Sequence, residues 1–475
     1  VVTSLALAVD ARFRPRELVF AEATLAQFCG WRIGVYANAL ANTARILGDI
    51  MIGHHTNPMR RHARILTASL VGTGVEFYDF YIYATASALV IGPLFFPAQS
   101  PAAQTLLAFM TFGLAFIARP VGAIAFGHFG DRVGRKSTLV ASLLLMGGST
   151  VAIAFLPTYA MAGPIAPTLL CVLRFGQGFG LGGEWGGASL LAVENAPKGW
   201  EARFGAAPQL GAPLGFLVAN GLFLILAMTL PAPAFVAWGW RIPFLGSAIL
   251  VALGLWVRLK IGETAAFRAA LEAAPPPRVP IGRLLRGYPG AVVAGMAAVV
   301  ACFAIFYLST TFALSFSAKL GYARQSFLEV QLIANFALAA GILVAAVWAD
   351  RTNSTRVLSI GAALTMLFGL VFGSGLGSGS LLLVLATLAG GLFVMGLVYG
   401  PLGAWLPTLF PTAIGYTGIS IAFNGGAIIG GALAPFAASW LAYKGGVAFV
   451  GLFLTAAGAV TLTGVRLAPL QRATR

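Results

Sequence analysis

From residue 65 onward the chain is a succession of apolar runs, each closed by a short charged, glycine-rich or proline-containing turn. A helix needs ~20 apolar residues to cross the ~30 Å hydrocarbon layer of a bilayer. Twelve runs meet that length, at about 65–92, 103–127, 138–157, 164–194, 203–230, 240–259, 289–317, 326–349, 357–376, 381–406, 414–442 and 446–465. Only 9% of residues are charged, against roughly 25% in a soluble domain, so the chain cannot cover a wet surface. In lipid a spanning segment must satisfy its own backbone, and runs of this length do so as helices. The expected fold is therefore all-α: a polytopic membrane protein of twelve transmembrane helices, with the lipid bilayer as its solvent.

The net charge of +16 would suit nucleic acid if it were gathered in one domain. Instead the charges punctuate the apolar runs, which is the pattern of membrane topology, and no nucleic-acid partner is expected. With the N-terminus inside, Lys and Arg crowd the inner turns (Arg132, Arg135, Lys136; Lys198, Arg203; Arg351, Arg356). The outer turns hold only Arg241, Lys319, Arg324 and Lys444. That asymmetry predicts cytoplasmic termini at both ends. Cys29, Cys171 and Cys302 lie far apart and predict neither a disulfide framework nor a metal site. His54, His55 and His62 lie before the first run and His128 stands alone, so no metal or nucleophile constellation argues for an enzyme, and no bound cofactor is expected.

Residues 1–57 differ from the rest. They mix Asp10, Arg12, Arg14, Arg16, Glu17 and Glu22 with short apolar patches, and none is long enough to span. They form either an N-terminal extension or sequence upstream of a true start at Met51 or Met59. Residues 58–259 make a first six-helix bundle. The polar stretch 260–288, with Pro275-Pro276-Pro277, makes a cytoplasmic linker, and 289–465 make a second bundle followed by a tail at 466–475. The halves repeat. Asp131-Arg132 after span two returns as Asp350-Arg351 after span eight, and Arg203-Phe-Gly205 opening span five returns as Tyr416-Thr-Gly418 opening span eleven. Two pseudo-symmetric six-helix bundles suit a carrier that holds its substrate between halves near the midplane.

Charges inside spans cost roughly 2.5–3.5 kcal/mol each at a helix centre, which makes each one a candidate for function. Span one carries Glu76 and Asp79, one turn apart and in line with Gly72 and Tyr83. Span two carries Arg119 before Pro120, about 12 Å deep from Gly127 by helical rise. Span four carries Arg174, Gln177 and Glu184. No comparable charge is expected in the second half. A carboxylate facing a buried cation can load and release a proton, so Asp79 with Arg174 is the expected coupling pair, with Glu76 and Glu184 as further candidates. Permanent pairing that fixes helix packing remains the alternative for all four. Arg119, Tyr83 and Gln177 are candidates for substrate binding, Arg119 as a bidentate clamp for an anion. Span four is also rich in small residues at four-residue spacing (176/180, 178/182/186, 183/187), which predicts close helix packing.

Between spans two and three lies Gly127-His-Phe-Gly130-Asp131-Arg132-Val-Gly134-Arg135-Lys136, expected to be a compact charged loop in which Asp131 and Arg135 can meet one turn apart. It resembles the signature between helices two and three of the major facilitator transporters. Gly72-Thr-Gly-Val-Glu76-Phe-Tyr-Asp79-Phe, Phe95-Phe-Pro97, Arg119-Pro120, Gln177-Gly178, Gly182-Gly183-Glu184, Glu194-Asn-Ala-Pro197 and Phe410-Pro411-Thr412 narrow the likeness to its metabolite:proton symporters. These resemble the shikimate, α-ketoglutarate and proline or betaine transporters, and above all the inner-membrane metabolite transport proteins. The resemblance implies a latch role for Gly127, Gly130, Asp131, Arg132, Gly134, Arg135 and Lys136. It also implies coupling through an acid in span one and an Arg in span four. Two departures, Asp350-Arg-Thr-Asn-Ser-Thr-Arg356 without the basic run and Gly415 before Tyr416, predict a weakened latch in the second half. The expected function is secondary active transport: proton-coupled uptake of a small carboxylated metabolite by alternating access in a bacterial-type inner membrane. The carrier is expected to work as a monomer with protons and one small molecule as partners. The alternative is a proton-independent facilitator or an exporter.

Overall fold

The structure is a computed structural model that describes residues 58–133, 135–260 and 280–468. Residues 1–57, with Met51, most of the linker and the end of the tail lie outside the described residues. The transmembrane set runs α1 (Ala63–Ala86, carried by a π-helical turn, Ser87–Ile91, into Gly92–Phe95), α2 (Pro101–Val133), α3 (Arg135–Ile153), α4 (Ile165–Leu181 and Glu184–Glu194), α5 (Glu201–Gln209 and Gly211–Thr229) and α6 (Ile242–Lys260). The second half continues as α7 (Pro289–Tyr307, a π-helical turn at Leu308–Phe312, then Ala313–Ser317), α8 (Arg324–Arg351), α9 (Ser354–Leu376), α10 (Leu381–Trp405), α11 (Thr412–Ala427, a π-helical turn at Ile428–Ala432, then Leu433–Gly445) and α12 (Val447–Leu467). No strand occurs among the described residues. Among the described residues, ten helices are long and apolar enough to cross a membrane. The other two are α1, which bears Glu76 and Asp79, and α3, whose apolar part is Val140–Ile153.

The expected loop at 127–136 is largely helix. α2 continues to Val133 and α3 begins at Arg135, while Gly134 between them lies outside the described residues. A glycine in a helix costs only about 1 kcal/mol, so Gly127 and Gly130 do not end α2 at the membrane surface. The side chains of residues 127–139 are also outside the described set, so the expected Asp131–Arg135 contact lies there too.

Lipid-facing surfaces are apolar: Ile249, Leu253, Leu367 and Leu370 are all exposed. The interior is where the polar groups are, as a bilayer solvent requires. The small residues of α4 meet three different neighbours. A Cβ on Gly178 or Gly182 would fall 2.0 Å from the carbonyl oxygens of Ala115 and Arg119 in α2. One on Gly176 or Gly180 would strike Ser149 or Met146 in α3, and Gly183, Gly186 and Gly187 face Tyr416 and Ser420 in α11. α4 itself is interrupted at Gly182-Gly183, between Leu181 and Glu184.

The two halves touch differently at their two ends. One end, here the basic end, carries the turns after α4 and α8. There an apolar cluster of Ala202, Ala345, Ala349, Val357, Leu397 and Ala404 crosses between halves. Asp350 of α8 accepts the N–H groups of Ala202 and Arg203 at 2.7 and 3.2 Å and the Arg203 Nε–H at 2.6 Å, so a second-half carboxylate sits on the N-terminus of α5. The acid at the end of α8 is thus bonded across the halves, although the basic run after it is missing. Nearer the middle, Gln209 Nε2 donates to the Tyr399 carbonyl (2.8 Å), Ser189 Oγ to that of Gly403 (2.8 Å), Asn424 Nδ2 to that of Gly182 (2.8 Å) and the Tyr416 hydroxyl to that of Gly183. Towards the far end the contacts are aromatic: Tyr81 stacks on Phe306 at 4.9 Å and Phe80 meets Tyr307 at 6.3 Å. The π-helical turns of α1 and α7, at corresponding places in the two halves, pack against each other there.

Candidate functional site

The helical spacing of α1 does bring Glu76, Asp79 and Tyr83 into the interior, all buried. Gly72 is only half-buried, and a Cβ there would touch nothing within 4 Å. Asp79 has no solvent exposure. Its Oδ1 accepts the Ser247 hydroxyl of α6, its main-chain oxygen accepts Gln177 Nε2 at 2.9 Å, and its Oδ2 has no partner among the described residues.

Arg174 does not pair with Asp79 directly. Its Nη1 donates to Gln177 Oε1, Nη2 to the Phe112 carbonyl at 3.1 Å and Nε to that of Thr111 at 3.4 Å. Its guanidinium lies 3.7 Å over the Tyr83 ring. Gln177 also donates to Thr150 Oγ1 at 2.9 Å, so this one amide bonds both the Arg174 guanidinium and the Asp79 main chain. Tyr83 is tied to Thr111 Oγ1 at 2.7 Å. Tyr83 and Gln177, read from sequence as substrate contacts, are in this structure members of the Arg174 network. Glu184 opens the second segment of α4, where a negative charge suits a helix N-terminus, and accepts Ser142 Oγ of α3 at 2.6 Å.

Arg119 is placed differently. It is buried on α2, with its guanidinium 4.2 Å from the Phe80 ring and 4.4 Å from the Phe116 ring. It makes no hydrogen bond to a described residue, and its Nε is buried without a partner. Glu76, Tyr81, Tyr307 and Tyr399 lie within electrostatic reach of it, so the group faces the second half. The Tyr399 hydroxyl is likewise buried and unpartnered. Phe80 is shared, since Arg174 lies 5.2 Å from the same ring, so two guanidinium groups flank one aromatic side chain. Two unsatisfied buried polar groups in a cationic, aromatic setting mark a place where a ligand atom can complete the bonding.

Beside this centre is a narrow cleft between α1, α5, α7 and α8, lined in part by Tyr81, Thr85, Phe216, Asn220, Thr311 and Gln331, with room for about one water. These residues were not found by a search for charges. The available signal was Gln331 and Asn335, two amides one turn apart in an apolar run. Asn335 Nδ2 reaches the Pro213 carbonyl of α5 at 2.9 Å. Glu329 also corrects the expectation of a charge-free second half. It lies near the start of α8, half-buried, and accepts Gln325 Nε2 at 3.0 Å.

Comparison with known proteins agrees with this architecture. Residues 64–272 match the profile of the family described as sugar (and other) transporter. The chain is 46% identical over 416 residues to the inner membrane metabolite transport protein YhjE of Escherichia coli K12, covering 86% of this chain and 94% of that one. It is 36% identical to the shikimate transporter of the same organism, over 88% and 97% of the two chains. Among solved structures, the xylose transporter XylE of E. coli in a partially occluded inward-open conformation superposes with a TM-score of 0.69 at 16% identity, over 87% of this chain and 99% of that one. That likeness is one of fold, twelve helices in two six-helix bundles. The protein is a membrane transporter and not an enzyme, and it belongs to the major facilitator superfamily, among its bacterial metabolite transporters.

Proposed function

We propose that this transporter couples the uptake of a small carboxylated metabolite to the entry of protons, with Asp79 as the proton carrier. The observation that carries the reading is the Asp79 carboxyl, fully buried, with one oxygen on Ser247 and the other without a partner. A proton on Oδ2 would remove the cost of an unpaired charge in a low-dielectric interior. Gln177 ties the Asp79 main chain to Arg174, so loading or losing that proton is felt at α4. Arg119, with its free donor, is the group suited to the substrate carboxylate. Glu76 and Glu184 are secondary members of the relay, and the charged 127–136 segment is the first-half latch. The basic end is cytoplasmic, the halves are 58–259 and 289–465 joined by 260–288, and the carrier acts as a monomer in the inner membrane.

The test is uptake of labelled organic acids into proteoliposomes, with and without an inward proton gradient, for wild type and Asp79→Asn. Gradient-driven uptake should vanish in the variant while exchange persists. Gradient-independent uptake that is untouched by Asp79→Asn would leave a facilitator whose buried charges only hold helices together.

A further inference from the structure

We propose that Ser247 of α6 is a positioning residue for the proton site: its hydroxyl holds Oδ1 of Asp79, directs the proton to Oδ2 and sets how tightly that proton is kept. This rests on the reading of Asp79 as the proton carrier.

Buried hydroxyls in this chain commonly turn back on their own helix. Ser87, Ser149, Thr150, Thr310 and Thr365 each donate to a carbonyl three or four residues earlier, which satisfies a hydroxyl in apolar surroundings without outside help. Ser247 has the same option and does not take it. It is fully buried, and its hydrogen bond runs across to Asp79 Oδ1 on α1. It is also the only hydroxyl-bearing residue of Ile242–Lys260. The register of α6 on α1 is fixed one turn away. Tyr78, next to Asp79 in the chain, donates its hydroxyl to the Pro243 carbonyl at 2.7 Å. A Cβ on Gly246 would come 3.2 Å from that same hydroxyl, so the bare backbone there lets α6 lie close to α1.

The other neighbours of the carboxyl are already committed. Thr150 of α3 lies near it, but donates to the Met146 carbonyl at 3.0 Å and accepts Gln177 Nε2. Glu184 of α4 is within electrostatic reach, Arg174 of the same helix is joined to the Asp79 main chain through Gln177, and Tyr78 flanks the acid on α1. Ser247 is thus the donor left to the carboxylate. With Oδ1 taken, a proton arriving through water bonds to Oδ2, the oxygen without a partner, and the carboxylate becomes a neutral acid. Oδ1 is then the carbonyl oxygen and still accepts Ser247. A hydrogen bond to a carboxylate is about twice as strong as one to a neutral acceptor, so Ser247 favours the ionised form and acts on the unloading of the proton.

Infrared titration of the purified full-length chain tests this. The band of the protonated Asp79 carboxyl is the one that Asp79→Asn removes. In Ser247→Ala its C=O stretch should move to higher frequency, because Oδ1 loses its donor, and the band should persist to a pH about one unit higher than in wild type. The external pH of half-maximal gradient-driven uptake into proteoliposomes, each variant scaled to its own maximum, should rise by about the same unit. Ser247→Thr, which keeps the hydroxyl, should restore both readouts, and Ser247→Cys, close in size to serine with a weaker donor, should fall between. A band and a pH profile that Ser247→Ala leaves in place overturn the role of Ser247 while Asp79 remains the carrier. Equal shifts in the alanine, threonine and cysteine variants also overturn it, since they report packing and not the hydroxyl. No band lost in Asp79→Asn, with gradient-driven uptake intact, overturns the proton carrier itself.

Discussion

Asp350 joins the two halves at the basic end, and its removal should loosen that end. In Asp350→Asn one oxygen remains to accept the Ala202 N–H, but the charge is lost from three hydrogen bonds and from the N-terminus of α5. Hydrogen bonds to a charged group contribute about 1.5–3 kcal/mol net, and a charge at a helix N-terminus about 0.3–1 kcal/mol. Asp350 is 2% exposed but Arg203 is 25% exposed, so solvent screens part of the attraction. Arg203 also keeps its places over the Trp200 ring at 3.5 Å and on the Gly199 carbonyl at 3.1 Å, which softens the loss. The net cost to the closed form is about 2 kcal/mol, or roughly a 30-fold shift towards opening at this end. The readout is alkylation of a single cysteine introduced by Ala349→Cys, in the apolar cluster beside the lock, with Cys29, Cys171 and Cys302 replaced by alanine. A polar maleimide should label this site roughly 30-fold faster when Asp350→Asn is added. Labelling that changes less than about threefold would show that the apolar cluster alone keeps the end closed and that the ion pair is ornamental.

Three further substitutions test the packing. Gly178→Ala drives a methyl into the Ala115 carbonyl and should cost about 1–3 kcal/mol in reversible unfolding in detergent, whereas Gly72→Ala meets open space and should stay within about 0.5 kcal/mol of wild type. Equal effects at the two positions would refute the α2–α4 contact. Trp185→Phe keeps the stack on Phe423, now 3.6 Å with the rings 6° from parallel, but leaves Gln209 Oε1 without the indole donor at 3.0 Å. It should destabilise by about 1–2 kcal/mol in the same unfolding measurement, and an unchanged transition would mean that the Trp185–Gln209–Tyr399 chain does not bear on stability.

Length and hydropathy carried most of the fold. Twelve runs became twelve helices, because a segment in lipid has no alternative to bonding its own backbone. The misplaced piece was the 127–136 turn, where glycine spacing was read as a loop although helix persists to Val133. The buried charges were also legible, since their cost singles them out, but their partners were not. Sequence spacing put Asp79 and Arg174 on inward faces without revealing that Gln177 bonds both the Arg174 guanidinium and the Asp79 main chain. The Asp350–Arg203 lock joins residues 147 apart in the chain, and a contact between halves leaves no local trace. Nor do the π-helical turns, which look like ordinary apolar helix in the sequence. The neutral groups of the cleft were missed for a different reason: Gln331, Thr311 and Tyr81 carry no charge, so nothing about their cost made them stand out among apolar neighbours.

The backbone contact of α2 with α4 has a consequence for how the carrier can work. Gly122, Gly178 and Gly182 let the two helices meet carbonyl to Cα, with no side chain between them to act as a bearing. Surfaces so close cannot slide without collision. Arg119 rides on one of these helices and Arg174 on the other, so both cations belong to one closely packed pair of helices. On the proposed reading, a signal between a substrate at Arg119 and a proton on Asp79 travels by the neighbours of this pair, α1 on one side and the aromatic face of the second half on the other. In such a machine the cations are the fixed jaw of a vice, and what moves is everything that closes upon them.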